Sequence, residues 1–470
     1  MNGKFDTNIN LNDEQQYAVK TILDGGNVAL IGKAGTGKSL VIEAIKYLSN
    51  KQIVCLAPTG IAALNINGST IHRFFNLPIY ATDPWSIMPP DDIEQIELIN
   101  TAEIIVIDEI SMVRSDIFQA IDTQLRNCCS DSRRDLPLAG KQLLVVGDFF
   151  QLSPVVKEAK LHEYLDYELG GIYAFNAPAW QSANFNHIIL RHSHRQSDPE
   201  FVEILDAIRT GNIIKPLDQV NPENGGQINY INELNRITRQ CEPDFNRHDL
   251  SICATRDTVR QINLLAAQNL HGEAFVLRAK SAFELFPWRG VYPVDTTIHL
   301  KKGMKVMLVA NQYTPDRKQF EYVNGDIGFV LDYTPFPPKL KVELKNGKIV
   351  DVRLFSWQYY DYELNFDPQQ NKRIITQKVV DSFIQMPVMP AAAITIHKSQ
   401  SSTINAVNVV LGTHNCFASG LLYVAASRCP KSENLSFDRT VRKEDLIIDE
   451  KILEFFRKTD KTFTTDMTRS

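Results

Sequence analysis

The sequence predicts an α/β fold in which parallel sheets are covered by helices, and three observations carry that prediction. The apolar run Val28-Ala29-Leu30-Ile31 passes through Gly32-Lys33-Ala34-Gly35-Thr36-Gly37-Lys38-Ser39 into the helical pattern of residues 40–45: a strand, a glycine loop and a helix in succession. Continuous apolar runs of strand length recur at Gln52 to Ala57, Glu103 to Ile107 and Gln142 to Gly147, and a run without polar alternation marks a strand buried on both faces. After a β-rich stretch, the order of strand, turn and helix returns at Ala391 to Gln400.

The chain of 470 residues is 44 % hydrophobic and 22 % charged, which leaves room for about two to four domains. Its formal net charge of −5 excludes a histone-like polybasic protein but allows a basic groove on an acidic body. Seven cysteines, an odd number without a Cys-x-x-Cys pair, point to a reducing compartment and to neither a disulfide frame nor a zinc site. No run of about 18 apolar residues occurs, and Met1 to Asp6 hold no apolar signal core, so a soluble, intracellular protein is expected.

In chain order, Asn12-Asp13-Glu14-Gln15 opens a helical pattern on Tyr17, Ala18, Ile22 and Leu23. Asn12 and Gln15 have the spacing of a capping box. Gln15 equally suits a place facing the glycine loop, where its amide would read an adenine edge by donating and accepting at once, and the two readings stand side by side. The loop itself has P-loop spacing: glycines let backbone N–H groups close around phosphates, and the helix N-terminus adds its positive end. Lys38 then reaches the β- and γ-phosphates of ATP, and the Ser39 hydroxyl ligates Mg²⁺.

Beyond the second strand, Pro58 to Ala63 turns into a helix. Gly68 to Phe75 mixes hydroxyl, imidazole, guanidinium and aromatic groups at a loop-to-helix junction; such a mix suits phosphates and bases, and a histidine beside phenylalanines suits a core equally well. Residues 77–90, with four prolines and Trp85, read as a small irregular projection. The next strand ends in Asp108-Glu109, acids at the edge where open α/β sheets bind ligands. Asp108 is expected in the Mg²⁺ shell, and Glu109 to polarise the attacking water. After Gly147, Gln151 suits a γ-phosphate contact that senses hydrolysis, while Asp148 reads as a turn residue.

His187 to Leu190 is strand-like, and Phe201, Leu205 and Ile208 mark a helix closed by Gly211. Lys215 to Gly226 reads as a loop, and a second α/β set opens at Leu250 with a helix from Val259 to His271 stopped by Gly272. Short strands at 327–331, 340–344, 349–354 and 378–380, with the hairpin turn Asn346-Gly347, read as a small inserted β-barrel. A strand at 406–411 and a helix at 420–428 complete the fold, and the tail beyond Val441 is expected to form a docked terminal helix.

Taken together, over roughly residues 9 to 440, these stretches resemble the motifs of superfamily one helicases, most closely the PIF (petite integration frequency) family of its 5′-to-3′ branch. The most specific part runs from Leu138 to Val155 around Gly147-Asp148-Phe149-Phe150-Gln151-Leu152-Ser153-Pro154. The resemblance implies two RecA-like P-loop domains with ATP between them, a small wedge insertion and an inserted SH3-like β-barrel. In this numbering it sets RecA-like domain 1A at 1–65 and 91–190, wedge 1B at 66–90, RecA-like domain 2A at 191–323 and 386–440, SH3-like domain 2B at 324–385, and a C-terminal tail at 441–470.

The resemblance also implies roles. Gln15 becomes the adenine reader, and Gly32, Gly35, Thr36, Gly37, Lys38 and Ser39 the nucleotide loop. Asp108 and Ser39 hold Mg²⁺, Glu109 is the base, and Gln151 the γ-phosphate sensor. Arg195 and Arg428 are similar to the family's two arginine fingers. Pro58, Thr59, Gly60, Thr70, His72 and Phe74, then Thr255, Asn263, His397, Lys398 and Gln400, are assigned to single-stranded DNA. Two departures are Ser401, where the family usually has glycine, and Ala426, where a bulkier aliphatic is common. The activity implied is an ATP-dependent 5′-to-3′ DNA helicase that moves on single strands and opens duplex or folded DNA in replication, recombination, repair and telomere maintenance. Its expected partners are single-stranded DNA, junctions and G-quadruplexes. A monomer in the cytoplasm or at the nucleoid of a bacterium or phage host is expected. The alternatives are an RNA or RNA:DNA hybrid helicase and an ATP-dependent nucleic-acid-binding switch without unwinding.

Overall fold

The computed structural model describes residues 10–78, 83–156, 158–216, 227–242, 250–280, 292–314, 319–400, 402–412, 416 and 418–460. Residues 79–82 of the projection, 217–226 of the loop, Ser401 and residues 461–470 of the tail lie outside the described residues.

The first set of apolar runs forms a six-stranded sheet in the order Ser69–Thr70, Ile53–Ala57, Ile104–Ile107, Gln142–Gly147, Val28–Gly32, Asn186–Leu190, with every pair parallel. Successive strand residues point to opposite faces. Val28, Leu30, Val106, Leu144 and Val146 therefore enter one apolar layer, with Ala18, Ile22, Val41 and Ile45 of the helices Asp13–Leu23 and Lys38–Leu48. Ala29, Ile31, Ile105, Ile107, Leu143 and Val145 enter the other, with Phe118 and Ile121 of the helix Ser115–Cys128. Two covered faces are why these strands read as unbroken apolar runs.

The second parallel sheet has five strands in the order Ala393–Thr395, Leu250–Cys253, Val407–Val410, Leu435–Phe437, Arg239–Gln240. The helices Pro199–Thr210 and Leu421–Ala426 supply one apolar layer, and Ile262 and Ala266 of Arg256–Gln268 pack on Cys253, Ala393 and Val410. That last helix begins earlier than its apolar pattern, because Thr255 caps it: Thr258 N–H donates to Thr255 Oγ1 at 3.2 Å. Part of the expected loop after Gly211 is a short strand, Ile214–Pro216, paired with Gln227–Asn229.

The β-rich segment forms an antiparallel sheet in the order Ile349–Arg353, Pro338–Leu344, Ile327–Pro335, Lys305–Leu308, Val388–Pro390. The short strand expected at 378–380 belongs to a longer ribbon, Phe355–Asp367 paired with Lys372–Gln385. Asp361, Glu363 and Asn365 dilute its β signal. The ribbon lies on the first parallel sheet. There Cys55 N–H donates to the Tyr362 hydroxyl at 2.6 Å, Arg73 Nε and Nη2 donate to Asp361 at 2.8 and 2.6 Å, and Ile375 N–H donates to Gln52 Oε1 at 2.7 Å.

The tail forms the helix Glu450–Thr459, whose Ile452, Leu453, Phe455 and Phe456 join the apolar layer of the first sheet. The Tyr173 hydroxyl donates to Asp449 at 2.7 Å, and Arg191 Nη2 holds both Asp460 oxygens at 2.9 Å. The chain thus returns from the second sheet to close on the first. All seven cysteines are free thiols, and among the described residues no helix is long and apolar enough to cross a membrane.

Candidate nucleotide site and nucleic-acid surface

The glycine loop leaves the inner strand Val28–Gly32 and turns into the helix Lys38–Leu48 at Gly37, whose φ of 78° lies in the left-handed region. The left-handed conformation favours glycine here, and a Cβ would also stand 2.4 Å from Gln15 Nε2 and displace that amide. Gln15 closes the expected capping box and also lies against the glycine loop. Asn12 N–H donates to Gln15 Oε1 at 3.0 Å and Gln15 N–H to Asn12 Oδ1 at 2.9 Å, closing the capping box, while Gln15 Nε2 donates to Thr36 O at 3.0 Å. An amide keeps a second N–H and a second lone pair for a base edge. Buried Thr36 donates to Lys33 O at 3.0 Å. Lys38 Nζ folds over the loop, donating to Gly32 O at 2.7 Å and Lys33 O at 2.9 Å. Burial holds this ammonium below the usual lysine range, against the pull of Asp148, Glu109 and Asp108.

Asp108 follows the strand Ile104–Ile107 and accepts from Glu109 N–H at 2.9 Å. Burial first, and the neighbouring Glu109 charge second, push its carboxyl up to about 7. A buried carboxylate beside a second carboxylate fits a cation site. Among the described residues no three His, Cys, Asp or Glu side chains cluster as a metal cage. A divalent ion here would rest on Asp108, on Ser39, exposed in the first helical turn, and on phosphate oxygens. Glu109 is held at φ 53° and ψ 44°, a conformation that costs a non-glycine residue about 1–3 kcal/mol. Its Oε2 accepts from Gln400 Nε2 at 3.3 Å, a contact that joins the first sheet to the second.

The opposite wall of the cleft comes from the segment after the strand Asn186–Leu190 and from the second sheet. His194 N–H donates to Gly35 O at 2.8 Å, which lays Arg195 against the loop. Arg195 Nη1 donates to Ser427 O at 3.3 Å. Arg428, 1 % exposed, donates from Nε to Val424 O at 2.8 Å and from Nη2 to Ser427 Oγ at 3.0 Å. Burial first, and the Arg195 charge second, bring the Arg428 guanidinium down to about 9. Among the described residues neither arginine has a carboxylate partner, so both cations are available to phosphate. Ala34 N–H donates to the Tyr423 hydroxyl at 3.4 Å, and Lys33 pairs with Asp206. At Gly420, which precedes the helix Leu421–Ala426, a Cβ would stand 2.5 Å from the carbonyl oxygens of Phe150 and Gln151. The second sheet therefore abuts the Gln151 turn with no room for a side chain.

Asp148 is more than the turn residue expected. Phe150 N–H donates to its Oδ1 at 3.3 Å, but the residue is 1 % exposed and is gripped by Arg209, with Nη2 to Oδ1 at 2.7 Å and Nε to both oxygens at 3.2 Å. The signal was in the sequence: Arg209 follows Leu205 by one helical turn and so lies on the apolar stripe with Phe201. A charge on a buried stripe needs a buried partner.

The residues assigned to single-stranded DNA divide by sheet. On the first, Thr59 caps its helix by accepting from Ala62 N–H at 3.2 Å, with Pro58 and Gly60 half-buried beside it. Thr70, 1 % exposed, accepts from Arg73 N–H at 3.4 Å. Half-buried His72 is kept below the usual histidine range by burial and then by Arg114. Phe74 is a core residue, 1 % exposed and packed edge-on against Phe75 and Tyr362 at 5.0 and 5.9 Å, so it offers no ring face to a base. On the second sheet Thr255, His397 and Lys398 are exposed. Asn263 instead spends both ends of its amide on the main chain of Ala393, at 2.8 and 2.9 Å, pinning the helix Arg256–Gln268 to the edge strand.

Residues 10–219 match the family described as PIF1-like helicase. The chain is 28 % identical to the ATP-dependent DNA helicase Pif1 of Campylobacter jejuni over 470 aligned positions, covering 94 % of this chain and 96 % of that one. Among solved structures, Bacteroides Pif1 in complex with ADP-AlF4 superposes with a TM-score of 0.78 at 28 % identity, over 97 % of this chain and 98 % of that one. Bacteroides Pif1 bound to ssDNA is 30 % identical over 96 % of this chain and 97 % of that one, with a TM-score of 0.63. A glycine loop and an acidic strand end on one parallel sheet, faced by paired arginines from beside and within a second, therefore occur here in a chain similar over its whole length to such proteins: it belongs to the PIF1-like helicase family.

Proposed function

We propose that the chain is an ATP-dependent DNA helicase that steps 5′ to 3′ along single-stranded DNA and opens the duplex ahead. The observation that carries this reading is the cleft, in which the glycine loop of one sheet faces Arg195 and Arg428, two cations with no carboxylate partner among the described residues. Mg²⁺, when bound, neutralises phosphate charge and fixes its orientation. Lys38 exchanges the carbonyls of Gly32 and Lys33 for the β- and γ-phosphates. Glu109 takes the proton of the attacking water as the bond from the γ-phosphorus to the bridging oxygen breaks. Arg195 and Arg428 hold the equatorial oxygens over which charge spreads, and Gln151 contacts the γ-phosphate.

Closure of the cleft draws the second sheet, with Thr255, His397 and Lys398, toward the first, with Thr59, Thr70 and His72, and hydrolysis releases it. Hydroxyls and a lysine on phosphates suit a motor that must pass over any sequence. The contact between Gln400 and Glu109 supplies a route from a strand-gripping turn to the base. In the same reading 1–65 with 91–190 and 191–323 with 386–440 are the two motor domains, 66–90 the wedge and 324–385 the barrel, with two corrections to those bounds: Ser69–Thr70 is a strand of the first sheet, and of 324–385 only the strands between Ile327 and Arg353 join Lys305–Leu308 and Val388–Pro390 in the antiparallel sheet, while Phe355–Gln385 form the ribbon.

The test is ATP-driven unwinding of matched duplexes, one with a 5′ tail and one with a 3′ tail, with Lys38→Ala as control. Unwinding from the 5′ tail alone, absent in the variant, is expected. Opening from the 3′ tail alone would overturn the polarity, and hydrolysis of ATP stimulated by RNA but not by DNA would overturn the substrate.

A further inference from the structure

The helix Pro199–Thr210 is rooted in the second sheet through Phe201, Leu205 and Ile208, yet it touches the first sheet at two strand ends. Asp206 pairs with Lys33 of the glycine loop. One turn later Arg209, 6 % exposed, holds Asp148. The Arg209 guanidinium also lies 4.4 Å over the Phe150 ring and 5.7 Å from that of Phe456, which belongs to the terminal helix docked on the first sheet. Asp148 in turn accepts from Gln151 Nε2 at 3.3 Å. A rigid element of one sheet is thus joined through two buried side chains to the amide that follows the apolar strand of the other.

We propose that Arg209 is a positioning residue that couples the amide of Gln151 to movement of the second sheet, through its buried ion pair with Asp148. The inference rests on the ATPase reading above. A buried ion pair is a weak device for stability, since packed apolar residues serve as well, but it is directional and spans a joint that must move. When the helix shifts relative to the glycine loop, Arg209 carries the Asp148 carboxylate with it, and Gln151 turns toward or away from the γ-phosphate. The Lys33 pair gives the same helix a second hold, so loop and amide move together. The aromatic rings of Phe150 and Phe456 keep the guanidinium dry and limit it to one orientation.

The experiment is a double-mutant cycle on DNA-stimulated ATP hydrolysis, with wild type, Arg209→Met, Arg209→Lys, Gln151→Ala and the Arg209→Met/Gln151→Ala pair. Arg209→Met is expected to lower kcat by about 10- to 100-fold, with a change in the KM for ATP below about threefold. The pair is expected to be no slower than Gln151→Ala alone, because the path is already cut. Arg209→Lys, which keeps the charge but loses the fork, should recover part of kcat. The Asp148→Asn variant, with its own Gln151→Ala pair, gives the same reading should Arg209→Met fail to fold. Multiplication of the two losses in the pair, or a fall in kcat that simply tracks the thermal midpoint, overturns the coupling while leaving the ATPase reading in place. A wild-type protein that hydrolyses no ATP overturns both.

Discussion

Where the first parallel sheet meets the cleft, its strands end in the glycine loop after Val28–Gly32 and in the turn that carries the Asp108 and Glu109 carboxylates after Ile104–Ile107. The second sheet reaches the same cleft with side chains, namely Arg428, Tyr423 and Gln400, and its own strands Leu250–Cys253 and Ala393–Thr395 end in threonine caps. On the proposed function, one sheet holds phosphate and the other responds to it. The proposed difference has an electrostatic origin: a loop of N–H groups binds phosphate wherever it sits, whereas Arg195 and Arg428, carbonyl-bound and desolvated, would on the proposed function gain an anionic partner on closure of the cleft around nucleotide.

The sharpest way to break that division is Arg428→Ala. Loss of a finger is expected to lower kcat by about 10³- to 10⁵-fold with ATP affinity largely kept, because the loop stays intact. Hydrolysis rates and nucleotide titration of the same preparation check it. A fall in affinity as large as the fall in rate would place Arg428 with the binding loop and erase the distinction.

A second contrast lies in two residues assigned to single-stranded DNA: Phe74 on the first sheet, buried against Tyr362 of the Phe355–Gln385 ribbon, and Lys398 on the second, exposed. Phe74→Ala is expected to cost about 3–5 kcal/mol of stability in a denaturation curve, as a core deletion does. Lys398→Ala should leave that curve in place, weaken single-stranded DNA binding, and reduce the slope of log affinity against log salt by about 0.7. If Phe74→Ala keeps the stability of the parent, the ribbon does not seal that face in solution.

These contrasts also mark what sequence can and cannot convey. The glycine loop was legible because phosphate binding dictates residue types at fixed local spacing, and its strand, turn and helix stand where that spacing put them. The buried strands were legible because covering both faces removes polar alternation. The seat of the ribbon was not, since the Tyr362 hydroxyl meets Cys55 across 307 residues and nothing local to either encodes the other. Asn263 shows a subtler limit: an amide suited to a base is equally suited to the main chain of Ala393, and only the edge position of Ala393–Thr395 decides between them. For Asp148 the turn reading accounted for one hydrogen bond and missed the partner that buries it.

The smallest expected effect concerns the joint through which the chain returns from the second sheet to the first. His187, on the edge strand Asn186–Leu190, packs its ring 5.5 Å from Phe455 of the terminal helix and 6.3 Å from Trp180, and its buried Nε2 has no hydrogen-bond partner among the described residues. Burial holds its pKa below the ordinary histidine value. A depressed histidine means that the unfolded chain takes up the proton first as pH falls. The stability that the neutral ring contributes is therefore complete above the unfolded value of about 6.5 and is lost as pH drops through it toward the folded value. The thermal midpoint is expected to fall between pH 7 and pH 5 by more in the parent than in His187→Leu, which keeps the apolar contact and cannot titrate. Equal falls in the two proteins would mean that protons enter elsewhere, and that the docking of the terminal helix on the first sheet does not depend on the charge state of this ring.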